Sequence, residues 1–228
     1  MIGKYLTGDE EYSMDNNRRI LIVGAGRFAA DVADLIDDIP GSSVVGFVVD
    51  RPPFEPGKML LGRPIYWIDD LDDFDKSCQA VCAIGSWKRM DIISKVAQKG
   101  FQFTTVIHPS ARISRIAEVE AGTIISGGVQ VAAQVQIGRH VIINRGALIG
   151  HNDRIFDYAY IAPGANLAGN ITIGARTWIG LGANILEDLI IGEQCIIGAG
   201  SLLTRDVPDR VKAVGSPAMI IEKEIQGF

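Results

Sequence analysis

An aliphatic residue recurs at every sixth position from Ile107 to Leu203 without interruption. The positions are Ile107, Ile113, Val119, Ile125, Val131, Ile137, Ile143, Ile149, Ile155, Ile161, Leu167, Ile173, Ile179, Ile185, Ile191, Ile197 and Leu203. A period of six fits neither an α-helix nor a hairpin, but it is typical of a parallel β-helix in which each unit is a short strand and a corner. The stretch therefore predicts a triangular prism of about five coils, with these side chains inside.

Strand and helix patterns alternate before the repeat. An apolar run ends at Val23, a helical pattern covers 27–39, and strand-like runs cover 44–49 and 80–84. This alternation predicts a small parallel sheet of the Rossmann type, with a last strand at 103–106. The predicted organisation is a loose arm at 1–17, a Rossmann-like α/β domain at 18–106, an all-β helix domain at 107–205 and a C-terminal cap and tail at 206–228.

Composition and charge argue against several classes of protein. The net charge is −5 at pH 7, which gives no electrostatic case for binding nucleic acid or an anionic membrane. No window is long and apolar enough to span a bilayer and no signal-peptide pattern opens the chain, so we expect a cytoplasmic protein. Because Cys78, Cys82 and Cys195 lack metal-site spacing, we expect three buried thiols and no metal.

A glycine motif follows the first predicted strand. Gly24 and Gly26 stand in Gly-Ala-Gly-Arg-Phe-Ala, which fits the G-x-G-x-x-A pattern that admits a phosphate to a helix N-terminus. Asp50-Arg51 closes the second strand, where an acid can bind a ribose, and Gly85-Ser86 ends a later strand at the same edge. Together these positions favour a nucleotide-type ligand over strand–helix packing alone, with NAD as an alternative.

The chain contains three histidines, His108, His140 and His151. His151 follows Ile149-Gly150 at a predicted corner, where its side chain should point outward and meet a substrate. His140 is expected to hold a similar outward place, and His108 precedes the prism. An imidazole with an unperturbed pKa near ~6.5 can act as a general base at neutral pH. From the residues alone, a solvated or structural role is the simpler interpretation of each.

These features together resemble the nucleotide-sugar N-acetyltransferases of the sialic acid and bacillosamine branch, a family of hexapeptide-repeat acyltransferases. The resemblance covers about residues 18–221 and rests on the Ile-Gly-x-x-x-x-Ile units, the ILIVGAGRFAADVADLI segment and the Ile149-Gly150-His151 corner. It implies a left-handed β-helix, which is an exception to the right-handed crossover rule. It also implies acetyl-CoA as co-substrate, no metal, and a homotrimer with active sites between neighbouring prisms.

The resemblance assigns roles to particular residues. His151 would remove a proton from the sugar amine, which attacks the acetyl-CoA thioester directly, while the N–H of Gly169 faces the thioester oxygen. Contacts to CoA would come from Tyr160, Gly169, Gly198, Ala199, Gly215 and Pro217. Contacts to the nucleotide sugar would come from Gly24, Gly26, Asp50, Arg51, Gly85, Ser86 and Asn144.

Two residues depart from the family pattern. The family has Asp or Glu after the catalytic histidine, whereas this chain has Asn152, whose amide can hold the ring by a hydrogen bond but adds no charge. Asp153 could supply the acid only from an irregular corner, because a regular corner points its side chain elsewhere. Tyr160 stands where relatives usually have a second histidine near CoA.

The favoured prediction is an acetyl-CoA-dependent N-acetyltransferase that acts on the amino group of a nucleotide-linked sugar in surface-glycan synthesis. The family resemblance implies a 4-amino-4,6-dideoxyhexose as the acceptor. The alternative that Asn152 and Tyr160 motivate is a non-catalytic nucleotide-sugar or CoA-binding protein. A metal enzyme of the γ-carbonic-anhydrase type is disfavoured because the three histidines are widely spaced, and a dehydrogenase leaves the β-helix without a role.

Overall fold

The computed structural model describes residues 18–226, so the predicted arm at 1–17 lies outside the described residues. The described chain forms two compact units, residues 18–109 and residues 110–226. Each unit has an apolar core of its own. Ile22 and Val48 are fully buried in the first, and Ile143 and Ile173 are fully buried in the second.

The first unit is an α/β sheet with helices. The strands of this sheet are β1 (Arg18–Val23), β2 (Ser42–Val49), β3 (Met59–Leu60), β4 (Arg63–Trp67) and β5 (Gln79–Cys82), and β6 (Val106–Ile107) lies outside it. Its helices are α1 (Arg27–Asp37), α2 (Arg89–Gln98) and a 3₁₀ helix at Ile68–Asp73. The continuous apolar run of β1 reflects burial of the strand on both faces, as is typical of a central parallel strand.

The order of the strands in this sheet is β3-β4-β2-β1-β5. Strand β1 pairs in parallel with β2 on one side and with β5 on the other. The chain builds outward from β1 through β2 to β4, and it then returns to place β5 on the opposite side of β1. This reversal makes the carboxyl end of β1 a topological switch point, which is where open α/β sheets bind ligands.

The second unit is a prism of two-residue strands. These strands are β7 (Arg112–Ile113), β8 (Glu118–Val119), β9 (Ile124–Ile125), β10 (Gln130–Val131), β11 (Gln136–Ile137), β12 (Ile142–Ile143), β13 (Leu148–Ile149), β14 (Arg154–Ile155), β15 (Tyr160–Ile161), β16 (Asn166–Leu167), β17 (Thr172–Ile173), β18 (Trp178–Ile179), β19 (Asn184–Ile185), β20 (Ile190–Ile191), β21 (Ile196–Ile197) and β22 (Leu202–Leu203). A hairpin of β23 (Val211–Gly215) and β24 (Ala218–Lys223) follows.

The prism strands form three parallel sheets, which we name by their order in each coil. The first face is β7-β10-β13-β16-β19-β22, the second face is β8-β11-β14-β17-β20, and the third face is β9-β12-β15-β18-β21 continued by β23 and β24. Each residue pairs with the residue one coil later, as Ile137 does with Ile155 and Ile143 with Ile161. Every coil therefore repeats the side-chain directions of the coil before it.

The repeated aliphatic positions fill the axis of the prism. From Ile125 to Leu203 their side chains are at most 3% exposed. Ile113 and Val119, in the first coil, are only half-buried because no earlier coil covers them within this unit. At the other end, β23 pairs with β21 and shields the edge that an open β-helix would otherwise present.

The predicted fold class, a Rossmann-like α/β unit followed by a parallel β-helix, is confirmed, while the left-handed sense of the coil stays a prediction. One predicted strand differs from the structure. The predicted strand at 103–106 is instead β6 at Val106–Ile107, and Phe103 makes only a single bridge to Ala80. Over residues 18–226, no helix has the length and apolar character needed to cross a bilayer.

Strand β20 allows a direct test of the inward positions. Ile191 is fully buried and Ile190, its neighbour, is 57% exposed. We expect Ile191→Ala to lower the free energy of unfolding by about 2–5 kcal/mol, because it leaves a cavity in the axis. The matched variant Ile190→Ala should change it by less than about 0.5 kcal/mol. Denaturant unfolding of both variants measures this, and equal losses would contradict the inward assignment.

Candidate active site

His151 lies at the corner between the first and second faces, directly after β13, and its side chain is exposed as predicted. The Nδ1 atom of His151 is 3.0 Å from the Oδ1 atom of Asn152. An amide oxygen can only accept a hydrogen bond, so this contact places the ring proton on Nδ1. The lone pair of Nε2 is then available to accept a proton from a substrate.

The amide of Asn152 is itself held in place. Its Nδ2 atom donates to Oε1 of Gln134 over 3.0 Å, one coil earlier. Asn152, Gln134 and Asn170 share a left-handed backbone, with φ of 62°, 61° and 53°. Asparagine tolerates this conformation better than most residues do. The column of corner residues therefore orients Asn152, and Asn152 orients the imidazole.

Gly169 lies under the ring of His151, one coil later. Gly169 is buried, and a Cβ atom built on it would lie 3.0 Å from Nε2 of His151. The absence of a side chain at 169 thus allows the imidazole to rest against the backbone. Within residues 18–226, the N–H of Gly169 donates to no backbone carbonyl, whereas that of Asn170 donates to the carbonyl of His151. One backbone donor beside Nε2 is consequently available to a ligand oxygen.

Asp153 points into the prism and does not take the place of the acid that Asn152 lacks. Its side chain is fully buried, and its Oδ1 atom accepts the N–H of Ile171 over 2.8 Å. Burial raises the pKa of Asp153 from 3.8 to about 6, although the nearby N–H groups of Ile171 and Gly150 and the charge of His151 act to lower it. The corner is thus regular, with a carboxyl group directly behind it.

A polar groove runs along the second face beside this corner. Its volume is about 390 Å³. Its lining side chains are Gln134, Gln136, Asn152, Arg154, Asn170 and Thr172. All six can donate or accept hydrogen bonds, and none is aliphatic. Such a groove suits a hydroxyl-rich or charged molecule better than an apolar one.

The predicted CoA-binding residues lie elsewhere on the prism. Tyr160 is on the third face and stacks on Trp178 with ring centroids 3.9 Å apart. Gly198 and Ala199 form the corner after β21, and this corner rests closely on Gly180. Gly215 ends β23 with φ of 104°, and Pro217 is exposed in the turn before β24. Apart from Gly169, these residues lie on other strands and corners than His151, and their role stays a prediction.

Asn144 lies in the same coil as His151, at the corner between the third and first faces. Strand β13 separates the two residues, so the structure does not bring them into contact within the chain. The side chain of Asn144 is 5% exposed, and its Nδ2 atom has no hydrogen-bond partner in residues 18–226. A buried amide donor without a partner is costly, and a ligand or a neighbouring subunit could satisfy it.

The predicted nucleotide-binding residues meet at the switch point of the first unit. Gly24 follows β1 with φ of 111°, and a Cβ atom there would lie 2.9 Å from Cγ1 of Ile84. Gly26 caps α1, and nothing lies within 4 Å of its added Cβ atom. The first glycine is therefore required by the backbone, and the second leaves open space in front of a helix N-terminus.

Asp50 and Arg51 follow β2 at the same edge. The side chain of Asp50 is 7% exposed, and its Oδ2 atom accepts a 2.7 Å hydrogen bond from Nζ of Lys95 in α2. Its Oδ1 atom is 3.7 Å from Nε of Arg51, which is largely exposed. The carboxylate is thus already paired on one side, a feature that the sequence pattern did not indicate. A ligand hydroxyl would have to share it with Lys95.

Gly85 and Ser86 follow β5 on the other side of β1. Both carbonyl groups accept hydrogen bonds from Nη1 of Arg89, at 3.1 and 3.2 Å. Arg89 is almost fully buried and opens α2. The loop is therefore fixed from below by a residue that sequence reasoning missed.

The other histidines do not form a second site. His140 was predicted to point outward, and this is wrong. Its ring is 8% exposed, lies over Gly122 and stacks on Tyr158, because its left-handed corner turns the side chain along the prism. His108 lies 3.1 Å from Asp38 in the first unit. The described residues contain no group of three His, Cys, Asp or Glu side chains that could hold a metal ion.

Two of the residues that sequence reasoning missed could have been found from the coil period. Gln134, which holds Asn152, is one coil before it. Trp178, which stacks on Tyr160, is one coil after it. Comparing each candidate residue with the positions one coil away would have identified both. The contacts of Lys95 and Arg89 have no comparable signal, because they join segments of the sheet unit that no period relates.

The buried carboxyl group gives a pH-dependent prediction. Asp153 binds its proton more tightly in the folded than in the unfolded chain, so the unfolded chain binds fewer protons and stability falls as the pH rises from about 4 to about 7. We expect Asp153→Asn to be about as stable as the wild type at pH 4 and more stable on the order of 2–3 kcal/mol at pH 7.5. Denaturant unfolding at the two pH values tests this. A difference that does not change with pH would contradict it.

Two family models match this chain, one in each unit. A model described as the PglD N-terminal domain matches residues 19–96, and one described as bacterial transferase hexapeptide (six repeats) matches residues 170–205. A search of curated proteins found no match.

Solved structures match almost the whole chain. Perosamine N-acetyltransferase from Caulobacter crescentus, solved as a histidine-to-asparagine mutant with CoA and GDP-perosamine, is 31% identical with a TM-score of 0.81, covering 88% of this chain and 95% of that chain. The acetyltransferase domain of PglB from Neisseria gonorrhoeae FA1090, solved with acetyl coenzyme A, is 28% identical with a TM-score of 0.83, covering 90% and 100%. WeeI from Acinetobacter baumannii AYE is 28% identical with a TM-score of 0.79 over the same shares. The chain therefore belongs to the hexapeptide-repeat nucleotide-sugar N-acetyltransferases with a PglD-type N-terminal domain, the family that its sequence resembles.

Proposed function

We propose that this protein transfers the acetyl group of acetyl-CoA to the amino group of a nucleotide-linked amino sugar, with His151 as the general base. The observation that carries the proposal is the His151 corner. Its Nδ1 atom is held by Asn152, and its Nε2 atom lies against Gly169, whose N–H is available. A base and an oxyanion donor next to each other are what acyl transfer to an amine requires.

The proposed reaction is a direct transfer. Nε2 of His151 accepts a proton from the sugar amine as its nitrogen forms a bond to the thioester carbon. The N–H of Gly169 donates to the thioester oxygen, on which negative charge develops. The carbon–sulfur bond then breaks, and the proton on His151 passes to the departing thiolate. General base catalysis contributes typically about 10²–10⁴-fold, and an oxyanion donor about 10²–10³-fold.

The acceptor that we propose is a 4-amino-4,6-dideoxyhexose joined to a nucleoside diphosphate. The relative from Caulobacter crescentus was solved with CoA and GDP-perosamine. The polar groove beside Asn152 suits sugar hydroxyl groups. The Gly24 and Gly26 loop at the switch point suits a diphosphate at the N-terminus of α1. Asp50, Arg51, Gly85 and Ser86 would line the same edge.

The proposal also includes a CoA-binding site and assembly as a homotrimer. Tyr160, Gly198, Ala199, Gly215 and Pro217 would contact CoA. These residues are spread over the third face and its edge, which is compatible with a cofactor that lies between neighbouring prisms of a homotrimer. Asn144, with its unpartnered amide, would then serve the acceptor. We further propose that the reaction is a cytoplasmic step of surface-glycan synthesis.

One observation favours a second candidate function. The residue after His151 is Asn152, which provides no negative charge to stabilise the imidazolium ion that forms during transfer. A protein that binds CoA and a nucleotide sugar without turnover would need no such charge. The two candidates differ in turnover, not in binding.

The first experiment is release of free CoA thiol from acetyl-CoA with a panel of UDP-, dTDP- and GDP-linked amino sugars. We expect turnover with one of them, which would identify the nucleotide as well as the reaction. Binding of acetyl-CoA without turnover on any acceptor would favour the binding protein. Failure to bind CoA would rule out both candidates.

The role of His151 has its own test. We expect His151→Ala to lower kcat by at least about 10²-fold while the affinity for CoA is kept, because the side chain acts on the proton and not on the cofactor. His108→Gln is the matched control, since it removes a histidine far from the corner in sequence and should leave kcat unchanged. Wild-type turnover by His151→Ala would exclude the assigned role.

Substitution of the two glycines by alanine tests two different effects, backbone strain at Gly24 and ligand contact at Gly26. Gly24→Ala should lower the free energy of unfolding by about 1–3 kcal/mol, since its φ is positive and Ile84 is close. Gly26→Ala should change it by less than about 1 kcal/mol, because the added methyl group meets open space. The second variant should nevertheless bind the nucleotide sugar at least about tenfold more weakly, because the methyl group would occupy the place of a phosphate. Thermal unfolding and calorimetric titration measure the two effects. If Gly26→Ala binds the nucleotide sugar with unchanged affinity, the proposed diphosphate site at this loop is contradicted.

A further inference from the structure

The polar groove on the second face is lined by one charged side chain, that of Arg154, and by neutral polar ones. The coil register sorts this lining into two columns. The corner column is Gln134, Asn152 and Asn170, and the strand column is Gln136, Arg154 and Thr172. Within each column, successive residues belong to successive coils, which are ~4.8 Å apart. The groove therefore spans three coils, with a guanidinium group in the middle one.

The side chains of the corner column are already engaged within the chain. Oδ1 of Asn152 lies 3.0 Å from Nδ1 of His151, and Nδ2 of Asn152 donates to Oε1 of Gln134 over 3.0 Å. Nδ2 of Asn170 donates to Oδ1 of Asp188 over 2.7 Å. These hydrogen bonds hold the amides in place, so the corner column forms a fixed wall on one side of the groove.

The side chains of the strand column are not engaged. Among the residues that the structure describes, Gln136, Arg154 and Thr172 make no side-chain hydrogen bond or ion pair. The side chains of Gln136 and Arg154 are exposed, and Thr172 is half-buried. An amide, a guanidinium and a hydroxyl group can all donate hydrogen bonds. The strand column thus presents three donor groups in a row to a ligand.

Arg154 differs from two other arginines of the prism, which pair with an acid of a neighbouring coil. Arg176 lies 2.9 Å from Glu193, and Arg139 lies 3.5 Å from Asp157. The neighbours of Arg154, one coil before and one coil after, are instead an amide and a hydroxyl group. Within residues 18–226, the charge of Arg154 therefore has no carboxylate as a counter-ion.

Two acids stand beyond the ends of the groove. Glu118 belongs to the strand column but lies two coils before Arg154, a distance of about 10 Å along the ladder. Asp188 belongs to the corner column, two coils after Asn152, and is bound by Asn170. An anion on Arg154 would not meet either carboxylate at ion-pair distance. The charge of the groove thus favours an anionic ligand.

The number of donors favours phosphate over carboxylate. A guanidinium group binds either anion through two parallel N–H groups. This pairing uses both oxygens of a carboxylate, whereas a phosphate monoester keeps a third terminal oxygen for the amide or hydroxyl group one coil away. The groove volume of about 390 Å³ exceeds that of a single phosphate group and is in the range of small-molecule sites, about 300–1,000 Å³. The remaining room is lined by amides, which suit hydroxyl groups.

We propose that the groove is a phosphate site, in which Arg154 binds the phosphate group of a hydroxyl-bearing phosphate ester and Gln136 and Thr172 complete its hydrogen bonds. Asn152 is common to this groove and to the His151 corner, so the bound ester lies beside the candidate active site. CoA, a nucleotide sugar and a separate sugar phosphate all carry such a group, and the groove recognises the chemistry that they share. The inference concerns binding and does not depend on acetyl transfer.

The first test is a titration of the full chain with inorganic phosphate, followed by nuclear magnetic resonance of the arginine Nε–H groups. Arg154→Gln assigns the signal of Arg154 and should weaken phosphate binding at least about tenfold, because it removes the charge and the fork of donors. Arg154→Lys keeps the charge without the fork and should have an intermediate affinity. Thr172→Val removes one donor at nearly constant shape and should weaken binding about threefold or more.

The matched control is Arg112→Gln. Arg112 is an exposed arginine of the first face, outside the groove. This variant should bind phosphate with the affinity of the wild type, and acetate should bind the wild type more weakly than phosphate does. An equal loss in Arg112→Gln and Arg154→Gln would overturn the proposal, because attraction to any surface cation would then account for binding. A signal of Arg154 that does not respond to phosphate, or an equal affinity for acetate, would also overturn it.

The second test identifies the source of the phosphate group by calorimetric titration of the wild type and Arg154→Gln. A loss of affinity for CoA, but not for 3′-dephospho-CoA, would assign the group to the 3′-phosphate of CoA. A loss for UDP, dTDP or GDP would assign it to the nucleotide sugar. A loss for glucose 1-phosphate alone would assign it to a separate sugar phosphate. If Arg154→Gln keeps the wild-type affinity for every one of these esters, the proposal is overturned.

These measurements are independent of turnover. A wild-type protein that acetylates no acceptor would contradict the proposed function and leave the phosphate titrations to decide the role of Arg154. Conversely, turnover that depends on His151, together with phosphate binding that does not depend on Arg154, would overturn this inference alone.

Discussion

The rest of the structure depends on the stacking of each coil of the prism on the coil before it. Parallel pairing holds every residue over the residue one coil away, and the aliphatic positions fill the axis between the three faces. Because the register repeats, side chains in one corner form a column along the prism. The Gln134, Asn152 and Asn170 column is one result, and it determines the orientation of His151. The scaffold thus positions the functional groups through its hydrogen-bond register.

The His151 corner combines an exposed base with a buried acid. Asn152 contacts the ring with an amide oxygen, which can orient the ring but adds no charge. The amide of Asn152 has a rigid place between His151 and Gln134, and the carboxyl group of Asp153 lies inside the coil. The buried position costs stability at neutral pH because it disfavours the ionised form.

The candidate ligand site of the first unit depends on strand order and not on a repeated register. Its ligand edge comes from the reversal of strand order at β1, which leaves the loops after β1, β2 and β5 next to each other. Gly24 is required there by its positive φ and by the approach of Ile84, and Gly26 leaves the N-terminus of α1 accessible. Lys95 and Arg89, both from α2, then fix Asp50 and the Gly85 loop. Contacts from α2 therefore hold two of the loops at this edge in place.

The sequence by itself determined the prism, the class of the first unit and the exposed position of His151. A strict six-residue period allows few arrangements of the chain, and a glycine motif between a strand and a helix has few structural meanings. The partners of these residues were decided only by the tertiary structure. Nothing local in the sequence shows that His140 lies flat over Gly122 or that Lys95 reaches Asp50. The direction of a corner side chain depends on the left-handed residue beside it and on the coil stacked against it. Contacts between α2 and β2 depend on how distant segments pack, which no periodic signal encodes.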